Sequence, residues 1–181
     1  AADGMSYQLG VPVLEGLIRN RYVGRTFIKG KSREQSVSQK YTPIREVLQG
    51  KRVLLVEDSV VRGTTLHYLI RHIKERGRPK EIHVRVSSPP ILYPCFYGID
   101  MSTVSELFVR KHIPSCSSCD LSPEALKFLA GKLEVDSIRY VPAELVPPAI
   151  GIDKGSLCIG CINSEYPTPC GRRLYLAAED A

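Results

Sequence analysis

The stretch that most constrains the fold runs from Lys51 to Thr65 and reads KRVLLVEDSVVRGTT. A continuous apolar run, Val53 to Val56, follows a basic pair and ends at two adjacent acids, Glu57 and Asp58. An apolar run this short and unbroken reads as a strand buried on both faces, as in a parallel sheet. The polar residues after it (Ser59, Arg62, Gly63, Thr64 and Thr65) lead into a helical pattern at Leu66, Leu69, Ile70 and Ile73. Strand, tight polar loop and helix together aim backbone N–H groups and hydroxyls at an anion on the helix N-terminus. The acids stand at the carboxyl end of the strand, where open α/β sheets bind ligands. In the bland alternative, Glu57-Asp58-Ser59 only ends a strand and caps a helix. That would explain a generic acid pair, but the full run of acid, acid, serine, two apolar residues, arginine, glycine and two threonines is far more restrictive.

The flanking sequence alternates strand and helix signals, which makes the chain α/β. Residues 4–10 read as the end of a helix closed by Gly10, and Val11 to Ile18 as a strand. Thr64 to Arg76 is an amphipathic helix stopped by Gly77 and Pro79. Ile82 to Val86 is the next strand, and Ser87-Ser88-Pro89-Pro90 ends it in an extended turn. A short helix is expected at Thr103 to Val109, and a longer one from Ser122-Pro123-Glu124 to about Leu133, with serine as N-cap and proline at the first turn. Ser137 to Val141 reads as a strand and Ala143 to Ile150 as a short helix, whereas everything from Gly151 onward reads as irregular. His67, His72 and His83 fall in these elements as ordinary structural residues. The expected division is one domain over 1–150 and a Cys-containing tail over 151–181 packed on it.

A chain of 181 residues with 43% hydrophobic and 24% charged residues suffices for one domain with a proper core. No apolar run approaches the ~20 residues needed to cross a bilayer, so no membrane partner is expected. The net charge of +6 suits a polyanionic small substrate. Basic residues are interspersed with acids and carry no recognition motif, which argues against nucleic acid. The opening AADGMSYQLG has neither a basic region nor an apolar core of a signal peptide, and a cytoplasmic setting is expected. The six cysteines are therefore expected as free thiols or metal ligands. The start reads as a cut one, with coding sequence expected upstream.

Arg19 to Lys40 carries Arg19, Arg21, Arg25, Lys29, Lys31, Arg33 and Lys40 without an apolar stripe. Such a connection is either a lid that closes over phosphates or a solvated basic loop.

Specific strings narrow these choices. The Glu57–Thr65 run resembles the phosphoribosyl pyrophosphate (PRPP) signature of type I phosphoribosyltransferases. GLIRNRYVGRTFI (Gly16 to Ile28), TPIREVL, GKRVLLVEDSVVRGTT and RVSSPPILYPCFYGIDM resemble segments of glutamine PRPP amidotransferases, over most of residues 7–108 and again around Cys158 to Thr168. The resemblance implies a type I phosphoribosyltransferase-like, mostly parallel sheet flanked by helices, with an irregular Cys-containing C-terminal segment. It implies a glycosyltransferase that moves a phosphoribosyl group from PRPP to ammonia, giving 5-phosphoribosylamine and pyrophosphate at the opening of purine biosynthesis. Two other readings stay open: a type I phosphoribosyltransferase acting on a nucleobase, and a non-enzymatic sensor of PRPP or purine nucleotides with the same fold.

Carried over by residue, the resemblance makes Ser59, Val60, Val61, Arg62, Gly63, Thr64 and Thr65 the 5′-phosphate loop, with Glu57 and Asp58 on the ribose hydroxyls and on Mg²⁺. The family's usual pair is two aspartates, so Glu57 departs slightly; its extra methylene suits a hydroxyl contact better than direct metal coordination. Arg19, Arg21, Tyr22 and Arg25 are implied as lid residues, with Tyr22 and Ile28 lining an ammonia channel from a glutaminase domain that this chain does not contain. Purine nucleotide inhibitors and a homo-oligomer are implied as well. By spacing alone, Cys116/Cys119 and Cys158/Cys161 suggest a Zn²⁺ site. The resemblance instead implies a structural [4Fe–4S] cluster on Cys95, Cys158 and Cys161, whose fourth ligand would lie upstream unless Cys116 or Cys119 replaces it. Free thiols are the third possibility, and Cys170 looks unpaired.

Overall fold

The computed structural model describes residues 1–22, 38–99, 101 and 103–179. It forms two compact units whose sequences interleave: Ala1–Glu57, Gly63–Arg85 and Ala130–Ile138 make one, while Asp58–Arg62, Val86–Leu129 and Arg139–Ala181 make the other.

In the first unit, helix α1 (Ala2–Leu9) ends at Gly10, whose φ of 62° is the left-handed cap expected from the sequence. The strand expected over Val11 to Ile18 shrinks to β1 (Leu17–Arg19), which pairs antiparallel with β2 (Tyr41–Pro43), Leu17 opposite Pro43 and Arg19 opposite Tyr41. Val11, Val13 and Leu14 fall outside any strand and remain exposed. The short helix α2 (Arg45–Leu48) follows; its Leu48 is buried because two glycines make room for it. A Cβ on Gly16 would lie 2.8 Å from one Leu48 methyl, and one on Gly77 would lie 2.6 Å from the other.

A three-stranded sheet has the order β3 (Arg52–Glu57), β4 (Glu81–Val86), β5 (Ser137–Tyr140). The Asp136 N–H reaches the Ile82 carbonyl at 2.9 Å and the Val141 N–H reaches the Val86 carbonyl at 3.2 Å, so β4 and β5 run the same way. The whole sheet is parallel and flanked by helices, as expected. Parallel neighbours require a crossover, supplied between β3 and β4 by α3 (Thr64–His72) and a wide turn over Ile73–Gly77. Leu66, Leu69, Ile70 and Ile73 form its buried stripe, as their spacing predicts.

One expectation fails here. β3 is not buried on both faces: no residue of it is fully buried, and Leu54 is 38% exposed. β4, in the middle, buries Ile82, Val84 and Val86 on alternate positions.

In the second unit, the helix expected at Thr103 to Val109 is a 3₁₀ turn (Val104–Glu106) followed by α4 (Phe108–His112), and α5 (Pro123–Lys132) falls in its expected place. The Ala125 N–H donates to Ser122 Oγ at 3.2 Å, the N-cap bond the sequence called for. The segment expected at Ala143 to Ile150 is a 3₁₀ turn (Ala143–Leu145) followed by α6 (Val146–Ile150). The tail is more regular than its composition suggests, with α7 (Gly160–Asn163) and the longer α8 (Pro169–Glu179). Thr168 starts α8 by accepting the Gly171 N–H on its hydroxyl at 3.1 Å, with Pro169 in the first turn. Tyr166 forms the aromatic centre of this unit, with ring centroids 5.0 Å from Phe96 and 5.5 Å from Tyr175.

Candidate functional site

Residues 57–65 are continuous in the chain, so covalent connection alone sets them in one strand–loop–helix turn. Glu57 closes β3 and is half-buried; Asp58 is the first residue off the strand and is exposed. Ser59 Oγ donates to Asp58 Oδ1 at 2.8 Å, which fixes one carboxylate oxygen. Val60 is buried, 3% exposed, and acts as the apolar pin of the loop. Val61 is pinned through its backbone: its carbonyl accepts the Phe108 N–H at 2.7 Å.

Gly63 is the hinge into the helix, with φ 71° and ψ −11°. An L side chain disfavours that conformation and glycine does not. The Gly63 carbonyl then accepts the His67 N–H at 2.9 Å as the first bond of α3. No side chain caps this nine-residue helix, so its first-turn N–H groups, with the Thr64 and Thr65 hydroxyls nearby, are the donors the turn can offer an anion. Chemically the turn combines oxygen acceptors (Glu57, Asp58) with N–H and O–H donors (59–65), a set suited to a sugar hydroxyl or hard cation on one side and a phosphate on the other.

The lid candidates distribute differently. Arg19 ends β1; Arg21 and Tyr22 form the turn after it, where the Tyr22 N–H donates to Asn20 Oδ1 at 3.0 Å and the Tyr22 side chain is fully exposed. Among the described residues none of these side chains makes a hydrogen bond or ion pair with 57–65. Arg25, Ile28, Lys29, Lys31 and Arg33 lie outside the described residues.

Five of the six cysteines fall into two groups, and all six, with Cys170, are free thiols. Burial, then the neighbouring Cys95 and Cys158, push the Cys161 thiol above its ordinary range. The same three sulfurs, after burial, push up the Tyr166 phenol, whose O–H donates to the Pro94 carbonyl at 2.6 Å. Cys161 is anchored by its own carbonyl, which accepts the Leu92 and Tyr93 N–H groups at 2.9 and 3.0 Å. Cys95, Cys158 and Cys161 thus share one neighbourhood. Cys116 and Cys119 answer to a different one. Burial raises both; Asp120, Glu144 and Cys116 raise Cys119 further, and Cys116 Sγ donates to the Ser118 carbonyl at 3.3 Å. Among the described residues no group of three or more His, Cys, Asp or Glu side chains is arranged to hold a metal ion. The residues present supply an incomplete set for a four-ligand cluster.

Sequence reasoning missed Glu106, whose Oε2 lies 3.5 Å from Arg62 Nη2. No local pattern links positions so far apart in the chain.

A family model of the phosphoribosyl transferase domain matches residues 7–88. The chain is 46% identical over 171 residues to the amidophosphoribosyltransferase of Methanothermobacter thermautotrophicus and 40% identical over 172 residues to that of Bacillus subtilis, covering 93% of this chain in each case. A solved structure described as the allosteric regulatory enzyme of purine biosynthesis superposes with a TM-score of 0.71 at 38% identity, covering 91% of this chain and 34% of that one. The chain spans about a third of the curated relatives it matches, 33% and 34% of the two named, and corresponds to their C-terminal part. Over more than nine-tenths of its length the chain is similar to the C-terminal part of amidophosphoribosyltransferases, and residues 7–88 match the phosphoribosyl transferase domain.

Proposed function

We propose that this chain binds PRPP at the 57–65 turn and is the ribosyl-transferring part of an enzyme that joins the phosphoribosyl group to ammonia, yielding 5-phosphoribosylamine and pyrophosphate. The observation that carries the reading is the left-handed Gly63 feeding an uncapped helix N-terminus directly after two acids at the end of a parallel strand. The relatives' printed name, amidophosphoribosyltransferase, supports the choice of acceptor chemistry over a nucleobase.

Transfer from PRPP builds positive charge on the anomeric carbon while pyrophosphate departs, so the protein's tasks are positioning and electrostatic stabilisation. The N–H and hydroxyl groups of 59–65 hold the 5′-phosphate. Glu57 and Asp58 accept from the ribose hydroxyls and orient the ring. The same carboxylates are the hard oxygen donors that would hold Mg²⁺, whose charge would offset that of the pyrophosphate group. Arg19, Arg21, Tyr22 and Arg25 belong to the segment that would cover the site and exclude water. Glutamine hydrolysis would fall to a glutaminase domain, and purine nucleotide inhibition and homo-oligomer formation belong to the same reading. Cys95, Cys158 and Cys161 are proposed as a structural iron–sulfur or zinc site completed by a ligand from elsewhere, supported by the shared neighbourhood of their sulfurs. No step of the transfer passes through it.

Calorimetric titration with PRPP, with and without Mg²⁺, tests the proposal. One-site binding that depends on Mg²⁺ supports it; absence of binding by a folded sample refutes it.

A further inference from the structure

The 58–62 loop is held in place by residues far along the chain. The Phe108 N–H donates to the Val61 carbonyl at 2.7 Å, and Phe108 is itself 2% exposed, with Leu107 and Val109 fully buried beside it. One position before this buried turn, Glu106 reaches Arg62, Oε2 to Nη2 at 3.5 Å. The Arg62 Nε is buried and has no hydrogen-bond partner. An arginine with one nitrogen unsatisfied keeps its place only if something else holds the guanidinium. Among the described residues its one ion pair is with Glu106.

We infer that Glu106 is a positioning residue for the phosphate loop: it draws the Arg62 guanidinium toward the 104–108 segment, so that the 59–65 backbone keeps its N–H groups toward the anion. The inference rests on the reading of 57–65 as a phosphate-binding turn. Two clamps then share the work. The backbone bond from Phe108 sets the height of the loop, and the Glu106 carboxylate sets the direction of Arg62. Without the carboxylate, Arg62 has no charged partner on its own side and competes for the incoming phosphate, disturbing the geometry of the loop.

The pair is partly exposed, 39% for the Arg62 side chain and 54% for Glu106. An ion pair of that kind corresponds to about a two- to fivefold change in affinity. The test measures PRPP–Mg²⁺ affinity calorimetrically for the wild type, Glu106→Gln, Glu106→Asp, Arg62→Ala and the double variant Arg62→Ala/Glu106→Gln. Glu106→Gln keeps the size of the side chain at an exposed position, so its fold is expected to survive. The expected result is a two- to fivefold weaker binding in Glu106→Gln, partial recovery in Glu106→Asp, and no further loss when Glu106→Gln is added to Arg62→Ala. Equal binding by wild type and Glu106→Gln overturns this inference alone, as does the same loss with and without Arg62. A wild type that binds no PRPP overturns the phosphate-loop reading and this inference with it. Amide exchange provides a readout without ligand: faster exchange of the Phe108 N–H in Glu106→Gln is expected, and an unchanged rate counts against the clamp.

Discussion

Gly160→Ala tests the packing beneath the cysteine neighbourhood. Gly160 opens α7 next to Cys161, and a Cβ placed on it would lie 2.7, 2.9 and 3.1 Å from Cδ1, Cε1 and Cγ of Tyr166. Carbon atoms prefer separations of about 3.5–4.0 Å, so the ring or the helix must move by most of an ångström. The ring has little freedom: Tyr166 is 2% exposed, its O–H is bonded to Pro94 at 2.6 Å, and Phe96 and Tyr175 flank it. Overpacking of this kind costs about 1–3 kcal/mol. The helix preference of alanine over glycine returns up to about 1 kcal/mol. The net expectation is a destabilisation of about 1–2 kcal/mol, or roughly 2–8 °C in Tm for a chain of this size. Chemical and thermal unfolding followed by circular dichroism reads it directly. A Tyr166→Leu background identifies the cause, because the smaller side chain vacates the contested space. Gly160→Ala should cost less there, with a coupling of at least about 0.5 kcal/mol. A variant as stable as the wild type, or an equal cost in both backgrounds, refutes the steric argument.

Three further outcomes are expected. Ile70→Ala, at a side chain with no exposure in the α3 stripe, should cost about 2–5 kcal/mol in urea unfolding. Gly63→Ala should weaken PRPP binding and cost about 1–2 kcal/mol of stability, because alanine disfavours the 71° φ; unchanged affinity would remove Gly63 from the site. Ser122→Ala should cost about 0.5–2 kcal/mol through the lost N-cap of α5. The Glu124 carboxyl is held below its ordinary range by its own backbone N–H and then by Ser122. A lowered carboxyl stabilises the fold above its unfolded pKa and loses that contribution as pH falls through the lowered value. Ser122→Ala should therefore move the Glu124 titration upward in carbon-detected NMR, and an unmoved titration would dismiss the Ser122 contribution.

The sequence makes the 57–65 turn legible because local chemistry specifies it twice. An apolar run of strand length meets an acid pair, and a glycine stands where the backbone needs a positive φ before a helix. α5 is legible for the same reason, through Ser122 and Pro123. β1 is overextended because Val11, Val13 and Leu14 have strand-like side chains, while pairing is decided by β2, which local composition does not reveal. The burial of β3 is misjudged because apolar content does not say what covers each face of a strand. α8 hides behind cysteines and glycines, although Thr168-Pro169 is a helix start of the kind recognised at Ser122-Pro123. Contacts such as Arg62 with Glu106, or Val61 with Phe108, depend on tertiary approach and leave no spacing to read. The cysteines are intermediate: spacing marks Cys158 and Cys161 and the family resemblance adds Cys95, while the fold sets Cys116 and Cys119 among other neighbours.

The central claim is that the strand–loop–helix turn after β3 holds a sugar-phosphate. A site-resolved titration tests it most directly: backbone amide shifts of the chain followed as PRPP and Mg²⁺ are added, alongside Asp58→Asn. The account predicts that the amides of Ser59 to Thr65 shift first and saturate together, and that Asp58→Asn weakens the response. Largest shifts elsewhere, such as along the concavity lined by Pro147, Pro148, Gly151, Ile152, Asp153 and Lys154, or an unaltered response in Asp58→Asn, would contradict it.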